Sequence, residues 1–221
     1  MKMLRTIVSL IMLCLCSSIH AQTWQCDSLG KSIKIFNSLS EKNNNKWAMS
    51  LKQIFPLNKD NEIEITYILT CSDSIPRMEL VALTEGWLAT VFTTPTNLIE
   101  VSNQDQLVCK GDLGQVAFDQ KFIGATRILA PLEIRVLYKD NRVRLSLFTK
   151  NYRMAYANIG QLESGVISIS ETYPFNEKSK HKGAYSMAFI NTISKLLNLA
   201  NGYVSYLNKH SEDSKIDIPE W

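Results

Sequence analysis

Two stretches of alternating apolar and polar residues, 127–139 and 142–152, flank the dipeptide Asp140-Asn141. Asp and Asn tolerate the left-handed backbone that a tight turn between antiparallel strands requires, so the pattern predicts a long hairpin. Pairing its arms across that turn sets Ile134, Val136 and Tyr138 on the same side as Val143, Leu145 and Leu147. Glu133, Arg135, Arg144, Ser146 and Phe148 fall on the other side. A ribbon that is apolar on one side only must be covered on that side, which excludes a sheet buried on both faces.

The rest of the chain supplies the cover. In residues 62–70, Ile63, Ile65, Tyr67 and Leu69 alternate with Glu62, Glu64, Thr66 and Ile68, which predicts a further one-sided strand. Ser72-Asp73-Ser74 then offers capping oxygens, with Pro76 tolerated in a first helical turn. Leu80, Leu83, Trp87, Leu88, Val91 and Phe92 follow at spacings of three and four, predicting a helix to about residue 93 that stops before Pro95. Short strands are expected at 97–102 and 106–110, and residues 153–183 show no sustained period apart from a short strand at 166–170. A closing helix over 184–209 carries Met187, Ile190, Ile193, Leu197, Ala200, Val204 and Leu207 on one stripe. Gly202 inside it costs roughly 1 kcal/mol against Ala and marks a kink or a close contact. The order strand, helix, several antiparallel strands, helix gives an α+β fold with both helices on one face of an antiparallel sheet, the other face being left open.

Ahead of this unit, Leu29, Ile33, Phe36 and Leu39 predict a short docked helix, and the polar run from Glu41 to Lys46 predicts a flexible connection. The first residues have a different character. Lys2 and Arg5 precede an apolar run from Thr6 to Cys16, and small residues end at Ala21. That is the layout of a secretory signal peptide over 1–21, too short to span a membrane, so the mature chain is expected outside the cytoplasm without a transmembrane segment. Lipid anchoring at Cys14 or Cys16 is disfavoured because Leu precedes each. The remaining organisation is an N-terminal extension over 22–51 with a short helix and polar linker, an α+β domain over 52–210 and a tail over 211–221.

The whole chain has 24 basic and 21 acidic residues, and the signal removes two of the basic ones. Near-neutrality gives no electrostatic reason to expect nucleic acid. Cys26, Cys71 and Cys109 survive processing as an odd number, which leaves one disulfide plus a thiol, or three thiols. The cysteines lie far apart in sequence, so a zinc site is not expected. No nucleophile elbow, phosphate-cradling glycine loop, dinucleotide fingerprint or zinc-protease helix occurs, and no cofactor is expected.

Residues Phe55-Pro56-Leu57 to Glu62-Ile63, the helix ending in Gly86-Trp87-Leu88 with Phe92, the Cys109-Lys110-Gly111 strand, the Tyr138-Lys139-Asp140-Asn141-Arg142 hairpin and the closing helix resemble domain of unknown function 4468. The resemblance covers about residues 52–210, and the ending Pro219-Glu220-Trp221 is similar to that family's. It implies an exported bacterial protein with a TBP-like fold, similar to one half of the TATA-box-binding protein, and it brings no catalytic residues. In that fold the strands holding Cys71 and Cys109 are not neighbours, so a bridge, if one forms, is expected between Cys26 and Cys71. Cys109 shares the inward parity of Leu107 and is expected to be a buried thiol.

The open sheet face is the main candidate for function, with Arg135, Arg144, Phe148 and Glu64 as its binding residues. Charged and apolar groups interleaved on an uncovered sheet point to a contact surface for another envelope protein or for a second copy of the chain. The alternative is an exported hydrolase using Cys109 or Cys71 with His181, or the i, i+2 carboxylates Glu62 and Glu64. Core thiols, a loop histidine and a solvated acidic edge are the simpler readings of the same residues.

Overall fold

A computed structural model describes residues 23–71, 75–93, 98–121, 124–158, 161–173, 179 and 181–210. The expected signal segment over 1–21, the capping oxygens expected at 72–74, Pro95, residues 178 and 180 of the Lys178–Lys182 loop and the tail over 211–221 lie outside these. Strand β1 (Trp24–Gln25) leads into helices α1 (Asp27–Ser38) and α2 (Asn44–Ile54), and then β2 (Ile63–Cys71) and α3 (Arg77–Val91) follow. Strands β3 (Ile99–Ser102), β4 (Gln106–Lys121), β5 (Gly124–Lys139), β6 (Arg142–Thr149), β7 (Asn151–Asn158) and β8 (Gln161–Ser168) come next. A single turn, α4 (Ile169–Thr172), and the 29-residue α5 (Lys182–His210) complete the order.

The strands form one antiparallel sheet in the order β1-β2-β6-β5-β4-β3, with β7 on β5 and β8 on β7. The hairpin at Asp140-Asn141 has the expected register, Ile134 opposite Leu147, Val136 opposite Leu145 and Tyr138 opposite Val143. Asn141 supplies the left-handed residue, at φ 59°. What was expected as one strand over 142–152 is two. Between the pairs Glu133–Phe148 and Leu129–Arg153, four steps along β5 face five along the partner edge. This slip sits beside Pro131, which has no N–H to give to a ladder. It moves the inward parity from Leu145 and Leu147 to Tyr152, all three of which are buried.

Strand β4 is also longer than expected and is bulged between Asp112 and Ala117, with Gly114 at φ +72° taking up the sharp backbone turn. The segment 166–170 holds the end of β8 and the start of α4, where the Ser168 side chain accepts from the Ser170 N–H. Helix α3 starts with Pro76 in its N-cap position and no side-chain cap.

The four longer helices gather on one side of the sheet. Leu80, Trp87 and Leu88 of α3 and Phe189, Ile193, Leu197, Tyr203 and Leu207 of α5 pack with Leu107, Cys109, Ile134, Val136, Val143, Leu145 and Leu147 in one continuous core. The expected flexible connection at 41–46 instead contains the first turn of α2. Asn43 caps that helix by accepting from the Asn45 and Lys46 N–H groups, and Ala48 and Leu51 are fully buried. The leading segment is held by backbone pairing of β1 to β2, and Asn208 of α5 accepts from the Trp24 N–H at 2.6 Å. Among the described residues, no helix is long and apolar enough to cross a membrane.

Candidate functional site

The side of the sheet away from the helices is open across β2, β6, β5 and β4. Register alone sets its grid. Glu64 lies beside Phe148, and Phe148 beside Glu133; Thr66 lies beside Ser146, and Ser146 beside Arg135; Ile68 lies beside Arg144, and Arg144 beside Leu137. Ile68 and Leu137 are 58% and 42% exposed, so neither the N-terminal helices nor β7 and β8 fold over this end of the face. The loop containing Asn58–Glu62 rises along one margin and makes the face a shallow depression of about 540 Å³. It contains Glu62, Glu64, Arg135, Arg144 and Phe148 together.

Phe148, expected to be an exposed binding residue, is buried at 7% exposure. It does point to the open side, but the Arg135 guanidinium lies over its ring, 4.8 Å from the centroid. Arg135 is in turn held by the Glu133 carboxylate, which also accepts from Lys150 Nζ at 2.7 Å. Burial would raise the Glu133 pKa; hydrogen bonds and charge from Lys150 and Arg135 outweigh it and leave the group below its ordinary value. A buried carboxylate with two cations fixed on it is a structural clamp for the aromatic ring. Lys150 was missed in the sequence because it lies at the register slip between β6 and β7, where alternation no longer tells which way a side chain points.

Glu64 is half-buried and already engaged. Its Oε1 accepts from Thr66 Oγ1 at 2.9 Å and its Oε2 from Asn58 Nδ2 at 3.1 Å, and Thr66 meets Ser146 Oγ at 2.7 Å. Arg144 is exposed and stands between the exposed Ile68 and Leu137. Of the four predicted residues, Arg144 is therefore the cation with apolar neighbours on both sides, and Arg135 is spent on Phe148.

The thiol and histidine candidates are not assembled. His181 Nδ1 lies 3.0 Å from Thr126 Oγ1, and its ring packs near Tyr156 and Tyr185. Cys109 faces Ile134, eight positions along β5 from Thr126, a separation on the order of 20 Å. Cys71 is opposite Trp24 at the far edge of the sheet. Cys109 is fully buried, as its parity implied, and burial first, with Glu100 nearby second, pushes its thiol up to about 11. All three described cysteines are free. Among the described residues, no group of three or more His, Cys, Asp or Glu could hold a metal ion.

Two solved structures are similar to this chain. One is a TBP-like protein from Parabacteroides distasonis, with 11% identity over 67% of this chain and 96% of that one and a TM-score of 0.46. The chain is similar to TBP-like and DUF4468 proteins. The second match is a DUF4468 family protein from Bacteroides ovatus, with 12% identity over 74% of this chain and 92% of that one and a TM-score of 0.38. These are the family and fold names that the sequence resemblance reached. No family model and no curated protein matches the sequence.

Proposed function

We propose that this chain is an exported, non-enzymatic protein of the bacterial envelope whose open sheet face binds a second copy of itself. The observation that carries the reading is the uncovered row Ile68–Arg144–Leu137 next to the half-buried acid Glu64 on β2. A two-fold contact needs a face that complements itself, and here cations of the central strands and the acids Glu62 and Glu64 share one depression. The Arg144 side chain of one copy would meet Glu62 or Glu64 of the other, with Ile68 and Leu137 covering each other. Near-neutral charge after signal removal leaves little long-range repulsion between copies. Export is supported by the basic, apolar and small-residue layout of residues 1–21.

Light scattering on the purified mature chain tests the pairing. A dimer that becomes monomeric on Arg144→Glu and on Leu137→Asp is expected. A strict monomer, or a dimer indifferent to both changes, overturns the reading. Mass analysis of the chain recovered from a cell envelope fraction should show Gln22 as its first residue; an intact Met1 would overturn export by a cleaved signal.

A further inference from the structure

The opposite, helix-bearing side carries a second concavity, an apolar groove of about 800 Å³ between α3, α5 and the bulge of β4. Trp87, Val91 and Phe92 form one wall, Leu199 and Gly202 the other, and Leu113 closes the end. Gly202 helps to keep the groove open: a Cβ there would meet nothing nearer than Trp87 Nε1 at 3.9 Å. The size and lining are those of a small-molecule site, for which ~300–1,000 Å³ is usual.

The charge on the groove is specific. Lys195, half-buried on α5, donates through Nζ to Leu113 O at 2.6 Å and Gln115 O at 3.0 Å. Leu113 lies in the bulge around Gly114, between the paired Asp112 and Gln115. The ammonium is thus fixed in place while its third proton has no carbonyl assigned, and among the described residues it has no carboxylate partner. Lys209 and His210 line the same groove, whereas its acid, Asp112, is paired with Arg153. A positioned cation at the end of an apolar trough is complementary to a molecule with an apolar body and one anionic head.

We propose that this groove binds a long-chain carboxylate, its hydrocarbon along Trp87, Phe92 and Leu199 and its head on Lys195. The site lies on the other side of the sheet from the self-association face and does not depend on it. The test uses cis-parinaric acid, a fatty acid that fluoresces in apolar surroundings, and its methyl ester, each titrated into the full mature chain. Saturable binding of the acid, with the ester at least about tenfold weaker, is expected from loss of a charge-assisted hydrogen bond. Lys195→Met should reduce acid binding about tenfold or more and leave the ester unchanged, while Lys195→Arg should retain the preference for the acid. Gly202→Leu, at an exposed helical position, should block both ligands with the melting temperature kept. Absence of saturable binding overturns the proposal. So does equal binding of acid and ester, a Lys195→Met effect on both alike, or binding indifferent to Gly202→Leu.

Discussion

Gly111 is the position at which packing in this fold can be tested most directly. It lies in β4 opposite Leu132, on the helix-facing parity of Leu107 and Cys109. A Cβ built there would be 2.7 Å from both Cε1 and Cζ of Phe92, where ordinary carbon contacts lie at ~3.5–4.0 Å. The ring must therefore retreat by roughly 1 Å. Its backbone cannot follow freely, because the Phe92 N–H donates to Leu88 O at 2.9 Å at the end of α3. Such overpacking costs ~1–3 kcal/mol, and the smaller unfolded-state entropy of Ala returns ~0.4–1 kcal/mol. Gly111→Ala should lose about 1–2 kcal/mol in urea unfolding, or roughly 2–8 °C in melting temperature for a domain of this size. Phe92→Leu on the Gly111→Ala background should recover part of that loss, giving a coupling of at least ~0.5 kcal/mol in a double-mutant cycle. A Gly111→Ala chain as stable as its parent, or strict additivity with Phe92→Leu, would refute the contact.

Two other outcomes follow from titratable groups. Glu133 has a folded pKa below its ordinary value, so its contribution to stability is present above the unfolded carboxylate range, ~4.3, and is lost as pH falls through the folded value. Glu133→Gln should flatten the acid limb of the stability profile below about pH 4.5; a profile of unchanged steepness would show that the clamp adds nothing. For the thiols, brief iodoacetamide treatment of the native chain near pH 8 should label Cys26, while Cys71 and Cys109 react only after unfolding, as read by peptide mass mapping. Native labelling of Cys109 would contradict its placement under the helices.

What was legible in the sequence was whatever depended on strict alternation or helical spacing. Asp140-Asn141 between two alternating runs was enough to set the whole register of β5 with β6, and with it the inward row of the core. The β4 and β6–β7 bulges were not legible, because the extra residues, two in β4 and one between β6 and β7, shift the register without changing composition. Helix α2 was hidden for a different reason. Its first turn, Asn44-Asn45-Lys46, has weak helix propensity, and the helix is held by the Asn43 cap and by burial of Ala48 and Leu51 against the rest of the core. The groove behind Lys195 depends on a bulge, a glycine and two helices far apart in the chain, so no local pattern announces it.

Phe148 shows where reading a face from parity stops. Parity puts its ring on the open side correctly, but exposure there is decided by long side chains from neighbouring strands. Arg135 covers the ring because Glu133 and Lys150 fix the guanidinium's partner beside it. Arg135 is then a lid on an apolar residue, and the proposed contact surface is centred one step along the strands, at Arg144 between Ile68 and Leu137. The two arginines should therefore respond differently. Arg144→Ala should weaken self-association by removing the cation meant for Glu62 or Glu64. Arg135→Ala should uncover the Phe148 ring, add apolar area to the same face and strengthen association or leave it intact, at ~25 cal/mol per Å² exposed and reburied. Concentration-dependent light scattering of the two variants side by side decides between the roles. Equal weakening by both would mean that Arg135 reaches the partner directly and is not held on Phe148.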